Sequence, residues 1–526
     1  MNNLKTCILT FFLVVFLSFE SGADEFVMDT QQAIPQMNVN SNHDRKSSNT
    51  SEIIKIGLED FIKLVKEKNE RIIVQQLEWE ITGDAIKNAK SIFEPEVVGS
   101  YEHERSKAKY SKEEAVSFFG SASDRDEQNN NYNAAIEGLI PTGGRISLGY
   151  TLQELSNNFN KGDEEYQTFI GASLTQPLLK NAGLKTTMAN IHIAETDYDI
   201  ALHTYRRQMM QVVSNAVAAY WNLYLAQEKY RMRQDSVTIA EQVLRDNRER
   251  VKTGKMAKTE VMEAEAGLLL RKSLEIEAKQ DIVAAMNDLY IYISSSVGDK
   301  EMEIELTDRI EVDTMERDLK MSLQNAFRLR PDYIETRKKI EREKIRVAFA
   351  KNQRWPQLDL KGSYGLNGLE DSVGNSWDKA LERDFESWTV GVELRIPITG
   401  GMKTRSELAA AIRRKKQALL ELKAVEVGMI NGINTAYKKV CSACEQAAYY
   451  GSVVDINKHL LEVELARLDA GKSNSRYVLE KEEDLNRVKE AKIESLVMYE
   501  KAILELEMAE GSILVCYNIE VMEVDK

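Results

Sequence analysis

The most constraining feature of this sequence is a run of 70 residues, 184–253, that contains neither glycine nor proline. Both residue types weaken or break helices, so a run without them favours one continuous helix. Such a helix would be about 105 Å long, at about 1.5 Å per residue. The whole chain of 526 residues has only 7 Pro and 27 Gly. This scarcity favours long helices and excludes collagen-like, proline-rich and linker-dominated architectures.

The apolar residues of this run recur with alternating spacings of four and three residues. They are Tyr198, Leu202, Tyr205, Met209, Val212, Ala216, Ala219, Leu223, Ala226 and Tyr230. A second apolar series runs beside the first, at Val213, Val217, Tyr220 and Tyr224. An average spacing of about 3.5 residues specifies a supercoiled seam, and a helix with two seams packs against two neighbours. The pattern therefore predicts a ring of long helices.

Several landmarks recur at a nearly constant offset along the chain. Pro177 and Pro397 are 220 residues apart, and each is followed by glycine and a long helical stretch. Gly254 and Gly471 are 217 residues apart, each in a basic turn. Landmarks that repeat at one offset are the signature of structural repeats. We therefore expect two repeats, each with a long helical hairpin that turns at its glycine.

Between the helical stretches, apolar residues alternate with polar ones, which indicates β-strands. The alternating apolar series are Ile146, Leu148, Tyr150 and Leu152; Leu358, Leu360, Tyr364 and Leu366; and Trp388, Val390, Val392, Leu394 and Ile396. Segments of about nine residues with one apolar face suit a membrane barrel with lipid outside and a wet lumen inside. A soluble sheet with one buried face has the same alternation. Long polar loops are expected at residues 107–131, 157–165 and 368–386.

The two predicted strand regions differ in length. They lie at about 95–177 and about 356–397, and the bounding prolines are 82 and 41 residues apart. The extra residues of the first repeat contain two more strand-like segments, 131–140 and 145–152. The first repeat therefore has room for two more strands, or for an insertion that folds elsewhere, and four or six strands per chain both stay open.

The N-terminus has the features of a secretory signal. Lys5 supplies a positive charge, residues 8–19 form a 12-residue apolar stretch, and Ser21-Gly22-Ala23 offers small residues for cleavage. The stretch is shorter than the roughly 20 residues that a membrane-spanning helix needs. The predicted segments are a signal peptide (1–23), a flexible lead-in (24–52), a first repeat (53–300), a second repeat (315–515) and a tail (516–526).

Charge and motif content exclude several classes of function. The net charge of -14 argues against sequence-independent binding to nucleic acid, which needs a basic surface. The chain has none of the familiar metal-binding or nucleophile motifs, so we expect no metal, no cofactor and no enzyme. Cys441 and Cys444 form a CxxC pair inside a predicted long helix, where packing is a better explanation than redox chemistry.

Three local motifs accompany the duplication, the helix lengths and the glycine turns. They are Ile56-Gly-Leu-Glu-Asp-Phe, Thr175-Gln-Pro-Leu-Leu and Arg395-Ile-Pro-Ile-Thr-Gly-Gly. With these features the chain resembles the TolC-like outer-membrane efflux duct family over residues 53–515. The order of the features, more than any one motif, carries the resemblance.

The resemblance implies a mainly α fold with β: a trimeric outer-membrane β-barrel continued by a long periplasmic α-helical barrel, with two structural repeats per chain. It implies a passive channel of a tripartite efflux or type I secretion system, in the outer membrane and reaching into the periplasm. The implied partners are two further copies of the chain, outer-membrane lipid, a periplasmic adaptor (membrane fusion) protein and an inner-membrane pump. The family usually has four strands per chain. The alternative is a non-transporting periplasmic or surface structural coiled-coil protein.

The resemblance also implies roles for residues at the two turns. Acidic side chains narrow the periplasmic end of the family's ducts, and Glu260, Glu263 and Glu480 are the candidates here. Tyr477 replaces a carboxylate that is common in the family, and Arg476 beside it is a candidate inter-helix clasp. The candidate contacts with the adaptor are Gly254, Lys255, Gly471 and Lys472. Solvated charges near a helix N-terminus are the alternative interpretation of the acids.

Overall fold

The computed structural model describes residues 52–109, 124–157, 164–254, 256–293, 302–310, 318–398 and 400–520. The predicted signal peptide (1–23) and nearly all of the predicted lead-in (24–52) lie outside the described residues. None of the helices in the described ranges is both long and apolar enough to cross a bilayer.

The two halves of the chain share a similar order of elements. The helices are α1 (Leu58–Lys68), α2 (Glu70–Lys90), α3 (Leu184–Thr187), α4 (Ala189–Lys252), α5 (Lys258–Tyr290), α6 (Leu319–Leu329), α7 (Pro331–Asn352), α8 (Val373–Leu381), α9 (Met402–Asp469), α10 (Ser475–Glu510) and α11 (Ile513–Cys516). The strands are β1 (Glu52–Ile56), β2 (Glu96–Lys109), β3 (Asp124–Leu139), β4 (Arg145–Asn157), β5 (Glu165–Pro177), β6 (Met302–Leu306), β7 (Gln357–Glu370) and β8 (Glu386–Arg395). In each half, two helices lead into sheet strands and then into a long hairpin. The boundaries 53–300 and 315–515 stay a prediction.

Two long helices, α4 and α9, have 64 and 68 residues. The chain returns through α5, of 33 residues, and α10, of 36 residues. The prediction of one helix from residue 184 is wrong at its start, because α3 ends at Thr187 and α4 begins at Ala189. Met188, with ψ of -1°, interrupts the helix where the chain leaves the sheet. Neither glycine nor proline marks this break, so the residue pattern did not reveal it.

The long helices and the shorter helices packed against them form one layer, called here the helical layer. The two apolar seams of α4 are buried inside it, as predicted. In the first series, the seven members from Tyr205 to Ala226 are all buried. In the second series, Val213, Val217 and Tyr220 are fully buried. They share one apolar cluster with side chains of α1, α2 and α10. The 3.5-residue period therefore identifies a helix that packs against several neighbours at once.

The six sheet strands follow the order β2-β3-β4-β5-β7-β8, and every neighbouring pair is antiparallel. β3 and β4 come from the extra residues of the first repeat, so the sheet has the six-strand form. The predicted loop 107–131 is too wide, since β2 continues to Lys109 and β3 already begins at Asp124. The polar ends of β2 and β3 continue the antiparallel backbone pairing of these two strands. Arg105 of β2 forms an ion pair with Asp126 of β3 at 2.9 Å. The predicted loop 368–386 is also wrong, because α8 lies within it.

The sheet has one apolar and one polar face, as the alternation predicts. Residues paired across antiparallel strands share a face, and Leu148, Ala172, Tyr364 and Trp388 are paired in turn. Within one chain much of this apolar face is open, and Val390 is 70% exposed. The opposite face carries mainly polar side chains, among them Thr151, Gln153, Gln167, Asn367, Thr389 and Glu393. A continuous exposed apolar surface of this kind marks a membrane or protein interaction surface.

A separate two-stranded sheet joins the start of the first half to the segment between the halves. β1 pairs in parallel with β6, from Glu52 opposite Met302 to Ile56 opposite Leu306. Just beyond β6, Asp308 accepts a hydrogen bond from the Leu58 backbone N–H at 2.7 Å and another from the Tyr220 hydroxyl. Burial and this carboxylate raise the pKa of Tyr220 far above its usual value. Strands of five residues, 250 positions apart, give no local signal, and the sequence analysis missed them.

Candidate functional site at the helix turns

Both hairpins turn at a glycine in the left-handed region of backbone space. Gly254 has φ of 71° and Gly471 has φ of 68°. The Gly254 N–H donates to the Val251 carbonyl at 3.0 Å, and the Gly471 N–H donates to the Leu468 carbonyl at 3.1 Å. A side chain is strained in this conformation, which explains why both helices end at glycine. Lys255 lies outside the described residues.

The first turn leads into α5, whose opening residues include the first acidic candidates. Glu260 lies in the first turn of α5, and its backbone carbonyl accepts a hydrogen bond from the Asn247 side chain at 3.3 Å. One carboxylate oxygen of Glu260 is buried and has no hydrogen-bond partner within the described chain. Glu263 is exposed. The two acids therefore differ in environment although they are three positions apart.

The second turn leads into α10, and the Asn474 side chain caps this helix by accepting from the Tyr477 N–H at 3.2 Å. Val478 is fully buried on the side of α10 that faces the helical layer. Arg476 and Glu480 are exposed, and Tyr477 is 54% exposed. All three candidates thus lie on the open side of α10, where a partner or a central axis could face them.

Among the described residues of one chain, no hydrogen bond or ion pair joins the predicted site residues to one another. In the described ranges, the Arg476 side chain makes no hydrogen bond or ion pair, so the proposed clasp is not formed inside the protomer. One contact between the two hairpin ends comes from Arg250, which donates to the Leu468 carbonyl at 3.3 Å. Lys472, also exposed, is held through its backbone N–H, which donates to the Arg467 carbonyl at 2.9 Å.

A buried charged cluster lies a short distance along the helices from these turns. Arg271 of α5 and Glu482 of α10 form an ion pair with 6% and 1% side-chain exposure. Ser236 of α4 donates to the Glu482 carboxylate at 2.7 Å, and the Asn486 side chain donates to it as well. The Arg271 guanidinium also donates to the Leu479 carbonyl at 3.2 Å. The cluster therefore ties three helices from both halves of the chain.

This cluster was missed because its members look like surface charges in the sequence. Glu482 lies in the run Glu480-Lys481-Glu482-Glu483, which by itself predicts a solvated helix face. The one available signal is helical phase, since Val478 and Glu482 are four positions apart and lie on the same side of α10. Burial of the Glu482 carboxylate would cost much free energy without a partner, and the arginine that pairs with it comes from another helix.

Polar contacts continue from the cluster along the interface between α4 and α10. Lys229 contacts Glu494 at 2.6 Å and Glu490 at 2.9 Å. Burial lowers the pKa of Lys229, but its hydrogen bonds to these two glutamates outweigh that effect and raise the pKa. Lys501 donates to the Asn222 side chain, and burial lowers its pKa. The two halves of the chain are thus joined by charge-assisted contacts as well as by apolar packing.

The cysteine pair of α9 lies far from this site. Cys441 is exposed, against the expectation of packing, and Cys444 is half-buried beside an apolar cluster. Across the described ranges, no group of three or more His, Cys, Asp or Glu side chains is placed to hold a metal ion.

The fold matches that of solved outer-membrane channels. The CmeC channel of Campylobacter jejuni superposes with a TM-score of 0.59 at 17% identity, covering 86% of this chain and 85% of CmeC. The chain therefore has the fold of these outer-membrane channels, and the predicted fold class is confirmed. The sequence model of the outer membrane efflux protein family matches residues 61–294 and 322–512, so the chain belongs to that family.

Two relatives are similar at lower coverage. The alkaline protease secretion protein AprF of Pseudomonas aeruginosa is 20% identical over 317 residues, which is 59% of this chain and 63% of AprF. The outer membrane efflux protein BepC of Brucella suis is 21% identical over 345 residues, which is 65% of this chain and 72% of BepC. This chain therefore matches less than two thirds of the length of AprF.

Family and fold are those of outer-membrane channel proteins rather than of enzymes. The predicted location in the outer membrane, extending into the periplasm, is confirmed. Members of the family act as trimeric channels together with adaptor and pump partners.

Proposed function

We propose that three copies of this chain form a passive exit duct through the outer membrane and the periplasm. The observation that carries the proposal is the open sheet, whose edge strands β2 and β8 have no neighbour in the described chain. An open edge exposes unpaired backbone groups, which lipid does not tolerate. Pairing of β8 with β2 of the next copy closes the sheet. Three sheets of six strands then give eighteen strands, where the family usually has twelve.

In this arrangement the apolar face meets lipid and the polar face lines a wet channel. The duct itself has no energy source, so a pump in the inner membrane and a periplasmic adaptor supply energy and selectivity. AprF is named for protease secretion and BepC for efflux, and both kinds of system use an exit duct. We assign this chain to a tripartite efflux or type I secretion system on that basis.

We further propose that the exposed residues of α10 narrow the periplasmic end. Three copies of Glu480, together with Glu260 and Glu263, would surround the axis with negative charge and favour cations. Arg476 and Tyr477 would act as a clasp toward a neighbouring copy, since within one chain both are exposed. What supports this is the exposure of Glu480 on the side of α10 opposite the buried Val478.

We propose that the adaptor contacts the two turns, through Gly254, Lys255, Gly471 and Lys472. The turns are the ends of the two hairpins, and Gly254, Gly471 and Lys472 are exposed. The two turns are 217 residues apart, nearly the same offset as the 220 residues between Pro177 and Pro397. This agreement supports similar basic turns at similar positions in each repeat. We assign the repeats to residues 53–300 and 315–515, with one turn in each.

Electron microscopy of the full mature chain, purified from membranes in detergent, tests the duct. We expect a three-fold cylinder with a helical part about 100 Å long, as helices of this length require, below a detergent belt. Higher-resolution averages would count eighteen strands in the belt region. A monomer, or a rod without a belt, would contradict the duct and favour the structural coiled-coil protein.

A further inference from the structure

The connection between β7 and β8 contains a helix, α8, that lies against the sheet. Ser376 and Ala380 of α8 are 0% and 1% exposed. The Ser376 hydroxyl donates to the Gly368 carbonyl at 3.0 Å. A Cβ atom placed on Gly368 would lie 1.9 Å from the Ser376 carbonyl oxygen, so only glycine fits beneath the helix. The helix α8 therefore packs directly against β7 and is not a solvated loop.

The helix lies on the apolar face of the sheet. Gly368 is paired with Thr168, and Thr168 is paired with Leu152, so these residues share one face. Thr168 is fully buried and Leu152 is 5% exposed. On the same face, the rings of Tyr150 and Trp377 meet edge to face with centroids 5.1 Å apart. α8 therefore covers part of the surface that the proposed duct turns toward lipid.

The helix also lies at the level of an aromatic band. Leu152, which is in register with Thr168 and Gly368, is paired with Tyr132, and Tyr132 is paired with Tyr101. Tyr364 lies on β7 four positions before Gly368, and so farther from the β7–β8 connection. It is paired with Trp388 on the same face. Aromatic girdles of this kind mark the lipid–water interface of outer-membrane barrels. α8 is therefore placed at the interface near the loop end of the sheet.

The two flanks of α8 differ in polarity. One flank exposes Trp377 and Leu381, which are 39% and 51% exposed. The helical period of about 100° per residue places Asn375 and Lys379 on the opposite flank. Trp377 contacts Tyr150, which lies farther from the loop end of β4 than the residues beneath the helix. The apolar flank thus faces the middle of the apolar band, and the polar flank faces the loops.

We propose that α8 is an interfacial helix that places Trp377 and Leu381 among the lipids of the outer leaflet. Lipid is the occupant because the apolar flank continues the apolar face of the sheet at the aromatic band. An amphipathic helix with one wet and one apolar side is suited to that position. The proposal rests on the lipid-facing placement of the sheet in the proposed duct.

The test uses the full mature protein, purified as assembled and reconstituted in phosphatidylcholine vesicles. The acyl chains carry bromine either near the headgroup or near the bilayer centre, because bromine quenches the tryptophans that it contacts. Comparison of the unaltered protein with Trp377→Phe and Trp388→Phe gives the quenchable emission of each residue. We expect Trp377→Phe to remove part of the quenching, with the shallow bromine more effective than the deep one. Asp378→Asn is the matched control on α8 and should leave the quenching unchanged.

The two tryptophans separate failure of the inference from failure of the duct. If Trp388 contributes to the quenching and Trp377 does not, the apolar flank of α8 faces protein or water, and the interfacial role is overturned. If neither contributes, the apolar face of the sheet does not meet lipid, and the proposed duct fails with it. Quenching of Trp377 only by the deep bromine would also contradict an interfacial position.

Discussion

Individual charged residues hold the two halves of the chain together in the helical layer. The Arg271–Glu482 pair is almost fully buried and is shared by α4, α5 and α10. Removal of one partner of a buried pair leaves an uncompensated charge, whereas loss of an exposed pair changes little. The same layer buries His203, whose environment disfavours a proton. At this scale, stability depends on which charges have a partner.

Arg271→Met should destabilise the protein by about 3–5 kcal/mol, the usual cost of leaving one buried charge without its partner. The double variant Arg271→Met, Glu482→Leu should recover part of that loss, because no uncompensated charge remains. Thermal unfolding followed by circular dichroism in detergent measures both. Lys252→Met, at an exposed pair with Glu249, is the control and should leave the melting temperature nearly unchanged. A double variant as unstable as Arg271→Met would argue against a direct coupling.

His203 should make stability depend on pH. Burial, followed by the charges of Arg206 and Lys338, lowers its pKa from 6.5 to about 4, although Asp199 and Glu335 act in the opposite direction. The unfolded chain therefore binds the proton first as the pH falls. Stability should decrease from pH 6.5 down to about pH 4, with a slope of at most about 1.4 kcal/mol per pH unit.

Melting temperatures measured across this range, for the unaltered protein and for His203→Gln, test the prediction. The glutamine variant should lose the part of the pH dependence that comes from this residue. Identical pH profiles for the two proteins would exclude His203 as the titrating group.

At the scale of elements, each helix, strand and turn follows from a local rule. The seams of α4 follow from 3.5-residue spacing, the sheet faces follow from alternation, and the hairpin ends follow from left-handed glycines. The turns at Gly254 and Gly471 are the clearest case, since both have positive φ. Glycines inside α9, such as Gly428, have no such need.

Gly471→Ala should destabilise the second hairpin by about 1–2 kcal/mol, because alanine is strained in the left-handed conformation. Gly428→Ala is the matched control. No atom lies within 4 Å of a Cβ placed there, and alanine favours a helix over glycine by about 1 kcal/mol. The two substitutions should therefore shift the melting temperature in opposite directions. A shift of the same sign at both sites would show that the turn conformation is not what requires glycine.

Lys472→Glu should weaken adaptor binding, because it reverses an exposed charge at the second turn. Pull-down of the adaptor with the full-length channel, from membranes that contain both, measures the effect. Lys458→Glu, on the same helical hairpin but away from the turn, is the control. An undiminished pull-down with Lys472→Glu would remove this turn from the contact.

At the scale of the whole molecule, one chain is incomplete. Within the described residues, the sheet has two open edges, its apolar face is exposed, and the acidic candidate of α10, Glu480, points away from the helical layer. The proposed three-fold assembly accounts for all three features, because it would close the sheet and would bring three copies of Glu480 around one axis. Six strands per chain give eighteen strands in three copies. Because barrel diameter grows with strand number, such a barrel would be wider than one of twelve strands.

Glu480→Ala should lower the cation-to-anion permeability ratio of channels in planar bilayers, because three negative charges leave the narrow end together. Glu445→Ala, at an exposed position on α9 about two dozen residues before the turn, is the control and should leave the ratio unchanged. An unaltered ratio in Glu480→Ala would remove this residue from the constriction.

Much of this molecule follows from its sequence because helices, turns and strand faces obey short-range rules. The 4-3 spacing in α4, the alternation in β7 and the glycines at the turns each act within a few residues, so a single sequence determines them. The tertiary structure alone decided which charges are buried, as in the Arg271–Glu482 pair, because that choice depends on side chains more than 200 positions apart. It also decided that α8 folds back onto the apolar face, since only the glycine at position 368 and the neighbouring strands make room for it.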